Sequence, residues 1–220
     1  MPNLTSIFLA IVLVFFGIMV LSRAPLIMTA REEVVFERVA NMNKSESYHS
    51  NAVEVDGLFF ETLVPERVVH VHKYEKETPV QFGFRITNQA STPYRFELQR
   101  FLPELSDPHR RLIKINGINR NTSTQAEESD IPLIIPGDSL EFLMTTKIRW
   151  YRKDWFQLLG QVMYGGFWTF NNLKPGKYQV RFSYENLLTK KEMLLYKGRT
   201  EVDSFWTGKI TTPFAQLRLR

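Results

Sequence analysis

The chain of 220 residues contains no cysteine. That absence excludes disulfide frameworks, thiolate zinc sites, iron–sulfur clusters and thiol nucleophiles together, so packing and hydrogen bonding must hold the fold. A large excess of one charge is also missing. Lys and Arg number 28 against 23 Asp and Glu, a formal balance of +5 that falls short of a dedicated nucleic-acid binder. Signatures of nucleophilic and phosphate chemistry are lacking too. Ser, His and Asp all occur without a Gly-x-Ser-x-Gly elbow, and the one glycine pair, Gly165-Gly166, lacks the Lys and Ser or Thr that complete a phosphate loop. The expectation is a protein that is not an enzyme, takes no cofactor and no metal, and has no nucleic-acid partner.

What the chain does hold is apolar and aromatic. Hydrophobic residues make up 44% and aromatics 13%, with 17 Phe, which suits a chain folding around one core. Residues 1–22 carry no charged side chain, and residues 7–21 are apolar apart from Gly17. As a helix, 22 residues reach about 33 Å, enough to cross a hydrocarbon core of about 30 Å. A membrane span through residues 4–21 is therefore expected. A cleaved signal peptide is the competing reading, but the residues before the apolar run bring no basic side chain. Ala24 is followed by Pro25, and Ala30 has Met28 two positions earlier, so neither cleavage point fits well. A retained anchor is favoured. Arg23 and Arg31 after the span argue for a cytoplasmic domain, whereas Glu32, Glu33 and Glu37 and the all-β texture that follows argue for an extracytoplasmic one, which is the expectation adopted.

Residues 31–51 begin as a charged amphipathic stretch and dissolve into Asn, Ser and Lys, a short helix followed by a linker. From residue 52 to residue 220, short runs rich in Val, Ile, Phe, Tyr and Thr alternate with Pro, Gly, Asn and Asp, the texture of an all-β sandwich. In residues 80–87, Val80, Phe82, Phe84 and Ile86 share one face, opposite Gln81, Gly83, Arg85 and Thr87. Residues 94–101 set Tyr94, Phe96 and Leu98 against Arg95, Glu97 and Gln99, a strand expected to pair with the first as a hairpin or between sheets. Residues 178–184 place Tyr178, Val180, Phe182 and Tyr184 inward after the turn Leu173-Lys174-Pro175-Gly176, and Pro136-Gly137-Asp138 turns into a strand over residues 139–148. Residues 208–219, broken by Pro213, form a last strand pair or an edge strand. The polar stretch 116–130 reads as an exposed loop.

These punctuation marks, together with Ile86-Thr87-Asn88 and the closing Phe205-Trp206-Thr207-Gly208-Lys209-Ile210, resemble bacterial extracytoplasmic immunoglobulin-like domains over about residues 80–220. The resemblance implies a fold, an antiparallel immunoglobulin-like sandwich, and a compartment. It carries no catalytic residue.

Two constellations stand out. His70 and His72 lie two apart and project from one strand face, where His49, Glu75 or Glu77 would have to complete a metal site; a solvated face is the expected account. In residues 149–170, eight of 22 positions are aromatic. Asp154 suits an N-cap, Trp155, Leu158, Leu159 and Val162 fall at helical spacing, and Gly165-Gly166 suits a stop, so an inserted amphipathic helix is expected. Such a helix plugs one end of the sandwich, lies at a membrane or partner interface, or offers a carbohydrate platform. The candidate interface is Trp150, Tyr151, Arg152, Lys153, Trp155, Phe156, Leu159 and Trp168. Charge is also uneven, with ten acids and five bases over residues 32–77 but ten bases and four acids over residues 174–220. The resulting expectation is a single-pass, membrane-anchored extracytoplasmic binding or assembly module, an accessory to an envelope or membrane complex with a protein partner. The alternative is a secreted or periplasmic binding protein, a protease inhibitor or carbohydrate-binding module, released by signal cleavage.

Overall fold

The computed structural model describes residues 51–72, 77–119, 127–152, 154–162, 166–195 and 198–220. Within them the chain forms β1 (Ala52–Val55), β2 (Leu58–Leu63), β3 (Val68–Val69), β4 (Thr78–Asn88), β5 (Tyr94–Arg95) and β6 (Leu102–Ser106). Next come β7 (Leu112–Ile113), β8 (Ile118–Asn119), β9 (Leu133–Ile134), β10 (Ser139–Arg152), β11 (Trp155–Val162) and β12 (Gly166–Leu173). The last are β13 (Gly176–Asn186), β14 (Lys191–Leu195), β15 (Gly198–Val202), β16 (Gly208–Thr211) and β17 (Ala215–Leu219). Helix among the described residues is limited to single 3-10 turns at Leu98–Arg100 and Glu128–Asp130. The fold is all-β.

Strand order in the larger sheet is β1-β2-β4-β10-β11-β12-β8, and in the second sheet β3-β17-β13-β6-β7. Two small ribbons, β14-β15 and β5-β9, complete it. Local chemistry sets this order. Asp56 and Gly57 both take positive φ in the two-residue turn that joins β1 to β2, the backbone a tight hairpin needs. At the end of β4, fully buried Asn88 donates from Nδ2 to the carbonyls of Thr92 and Ile134 (2.8 and 2.9 Å) and accepts from the Ala90 N–H. Asn186 repeats the device at the end of β13, donating to the carbonyls of Leu188 and Trp206.

The alternations at 80–87 and 178–184 place their apolar faces in the core. Val80, Phe82, Phe84 and Ile86 on β4 are at most 1% exposed, as are Val180, Phe182 and Tyr184 on β13, and Tyr178 is buried as well. Rings from the two sheets meet: Phe182 lies 6.0 Å from Phe82 and 5.3 Å from Phe84 between centroids. Phe60, Phe96, Tyr184 and Trp206 continue the layer. The opposite face of β4 is polar. There the register sets Arg85 between Glu61 and Glu141, and its guanidinium pairs with both. Pro213 divides β16 from β17, both of which pair with β13. At that break the buried Thr212 hydroxyl accepts the Phe182 N–H (2.8 Å) and donates to Thr62 Oγ1 (2.6 Å), whose own proton goes to the Pro213 carbonyl.

Three expectations are overturned. Residues 155–162 form strand β11, not a helix. Phe156, Leu158 and Gly160 turn inward, and Gly160 faces Trp168 on β12 because a Cβ there would stand only 2.0 Å from the indole ring. The helical spacing of Trp155, Leu158, Leu159 and Val162 therefore belongs to a strand in which glycine makes room for tryptophan. Residues 94–101 do not form a strand beside β4, whose neighbours are β2 and β10; they give two residues of β5, paired with β9, and then a 3-10 turn. That turn carries Glu97 inward to 4% exposure, where Lys191 Nζ meets it at 2.6 Å and Arg100 Nε pairs with it. The 116–130 stretch is not only loop, since β8 pairs with β12. The anchor or signal segment at 1–30 with its expected span at 4–21 and, save for Asn51, the helix and linker at 31–51 lie outside the described residues, as do His49 and Glu75. No helix among the described residues is long and apolar enough to cross a membrane.

Candidate interaction surface

The aromatic-rich stretch 149–170 runs through β10, β11 and β12 as neighbouring strands of the larger sheet. Pairing between β10 and β4 ends at Ile148 opposite Thr78, so Arg149 to Arg152 and their β11 partners project past β4 as a hairpin end. Trp150 roots that end: half-buried, it meets the buried Phe156 ring edge-on at 4.5 Å. A polar strap crosses the three strands, Arg149 Nε donating to Gln157 Oε1 (2.9 Å) and Gln157 Nε2 to Asn171 Oδ1 (2.7 Å).

Beyond Trp150 the register slips, because Trp150 opposes Phe156 while Arg152 opposes Trp155. Tyr151 is the extra residue of this bulge, and bulges re-aim side chains. Its ring is 45% exposed, with the Arg152 guanidinium 5.4 Å from the centroid. Across the tip, half-buried Trp155 holds the Lys174 ammonium 4.6 Å over its ring. Each such pair contributes about 0.5–1 kcal/mol at an exposed site. They keep two cations and two aromatic faces together where a partner can reach them.

Of the candidate interface residues, Trp150, Tyr151, Arg152 and Trp155 gather at this hairpin end. Phe156 and Trp168 are 0% and 1% exposed and belong to the core, so they offer no surface. Leu159 is half-buried farther along β11, and Lys153 lies outside the described residues. Lys174, a turn residue with no apolar period to mark it, joins the site because the turn before β13 packs against the tip. Its side chain also borders a cleft of about 670 Å³ lined by His109, Arg111, Lys114, Asn171 and Tyr178. Tyr178 fixes that turn with two hydrogen bonds, its hydroxyl donating to the Lys174 carbonyl (2.8 Å) and accepting the Lys174 N–H (2.9 Å). His70 and His72 are exposed, opposite buried Val69 and Val71, and no group of three metal-binding side chains occurs among the described residues.

Compared with protein-family models, with curated proteins and with solved structures, the chain shows no match.

Proposed function

We propose that this chain is a membrane-anchored, extracytoplasmic binding module of immunoglobulin-like architecture that assembles with a protein partner in an envelope or membrane complex. The observation that carries the reading is the hairpin end, where Tyr151 and Trp155 are each held by a cation on a strand pair that outruns its neighbour. Aromatic rings and arginine supply most of the energy at protein interfaces, and a tip pre-set by its own pairing loses little freedom on binding. The uncharged residues 1–22 supply the anchor. The immunoglobulin-like assignment is supported by the Tyr178 hydroxyl, which returns to the Lys174 backbone four residues upstream at the start of a core strand, the geometry of a tyrosine corner in such sandwiches.

The test uses the full chain in its native membrane, extracted in mild detergent and run on a native gel. Wild type should migrate as a complex larger than the chain, and Tyr151→Ser/Trp155→Ser should move it to the position of the lone chain while its melting temperature falls by no more than about 8 °C, the loss of two cation–π pairs. Wild type migrating alone, or the double variant comigrating with it in the complex, overturns the proposal.

A further inference from the structure

On the outer face of the second sheet the pairing of charges breaks down at one place. Three other strand cations stand beside acids: Arg85 between Glu61 and Glu141, Arg181 against Glu104 (2.7 Å), Lys209 against Glu185 (3.4 Å). Register explains each, since these residues occupy directly opposed positions. Two rows from Arg181, however, Lys177 on β13 stands directly opposite Arg218 on β17. Both are exposed, because the alternation that buries Tyr178 and Leu217 turns them outward. Like charges in opposed positions destabilise a sheet.

Neighbouring elements add to this pair. Arg67, just before β3, accepts the Arg218 N–H on its carbonyl (2.8 Å), and on the other side the loop after β6 brings up Arg110. Arg67, Arg110, Lys177 and Arg218 thus border one groove of about 510 Å³, with Gln179 and Gln216 opposed beside them. None of the four cations has an ion-pair partner among the described residues. The one acid bordering the groove, Asp107, is spent on its own turn: its carboxylate accepts the N–H groups of His109 and Arg111 (2.8 and 2.9 Å) and pairs with the Arg111 guanidinium at 2.7 Å. That turn holds Arg110 at φ 62°, a backbone setting that a non-glycine residue seldom takes. The backbone hydrogen bond from Arg111, with the further donors, holds the Asp107 pKa below the ordinary carboxylate range.

We infer that this groove binds a ligand bearing two or more phosphate groups. Three guanidinium forks match phosphate oxygens in bidentate fashion, Lys177 adds a compact charge, and the amides of Gln179 and Gln216 can donate to ester or bridging oxygens. The anion relieves a repulsion that the protein otherwise carries unpaired. None of the four cations belongs to the hairpin end, and the groove's existence does not depend on that reading.

The experiment uses the full chain in uncharged detergent micelles at low salt, titrated with sodium tripolyphosphate by calorimetry and followed by thermal melting. Binding is expected below about 1 mM, weakening as salt rises, with the melting temperature increasing on saturation. Lys177→Gln/Arg218→Gln should weaken it at least about ten-fold, yet melt without ligand no lower than wild type, since it removes a like-charge pair. Arg181→Gln, on the same face but paired with Glu104, should bind as wild type does. A second arm dopes the micelles with cardiolipin, whose headgroup carries two phosphates: competition with tripolyphosphate identifies a lipid headgroup as the source of the phosphates, and its absence identifies a soluble phosphorylated ligand. The inference is overturned if tripolyphosphate gives neither heat nor a thermal shift, or if the double variant binds it as tightly as wild type.

Discussion

Phe84→Ala tests the packing on which everything else is mounted. Phe84 is fully buried and touches three rings: Phe101 stacked at 3.8 Å, Phe142 at 5.4 Å and Phe182 of the opposing sheet at 5.3 Å. Truncating a core phenylalanine costs about 3–5 kcal/mol, from lost transfer energy and the cavity left among rings that cannot collapse into it. For a domain of this size each kcal/mol lowers the melting temperature by about 2–4 °C, so a fall of roughly 6–20 °C is expected. Arg85→Ala, one position along β4, removes two half-exposed ion pairs and should cost about 2 kcal/mol or less. The contrast reports the register, because a one-residue slip would exchange the two effects. A milder cycle of Phe84→Leu, Phe182→Leu and their combination, measured by urea unfolding, should show a coupling of about 0.5–1.5 kcal/mol, the energy of a directly touching aromatic pair. Additive losses, or an Arg85 variant that melts below the Phe84 variant, would refute the facing-sheet arrangement.

Gly160→Ala should lower stability by about 1–3 kcal/mol, since the new methyl overlaps the buried Trp168 ring; an unchanged melt would mean that the indole does not lie over β11. Thr212→Val keeps shape but leaves the Phe182 N–H without its acceptor and should cost about 1–3 kcal/mol in urea unfolding. Burial, reinforced by the charge of Glu97, raises the Tyr184 phenol above its ordinary value of 10.0, and burial raises Tyr178 as well. Because the folded state favours the neutral phenol, that stability is complete below the unfolded pKa and is lost as pH climbs past it toward the folded value. Unfolding monitored by ultraviolet absorbance should therefore release both protons together above about pH 10, whereas free titration of the two tyrosines in folded protein would contradict their burial.

The strands that were legible in sequence are those with one wet and one dry face. β4 and β13 alternate because Arg85 and Arg181 have acids across the sheet to meet, so charge could stay on the outer face without cost. β11 was not legible, since both its faces are covered in part: Gln157 is buried by the strap from Arg149 to Asn171, and Gly160 contributes no apolar mark where the core is filled by Trp168 from the next strand. A residue whose space is occupied by a neighbour distant in sequence looks neutral to any periodicity. Glu97 failed in a similar way, because the Lys191 that compensates its burial comes from β14, 94 positions later. Asp56-Gly57 is a hairpin signal readable in the sequence, since both residue types suit the positive φ that the turn between β1 and β2 requires. At the hairpin end the residue types were visible, but which of them face outward was decided by the bulge at Tyr151, a single-residue irregularity that no alternation announces.

The most direct test of the proposed anchored module is mass spectrometry of the N-terminus of the native protein recovered from carbonate-washed membranes. A chain that begins at or near Met1 and stays in the pellet is the expected result. A dominant N-terminus at Pro25 or Arg31, found in the soluble fraction, would contradict it and put a released binding protein in its place.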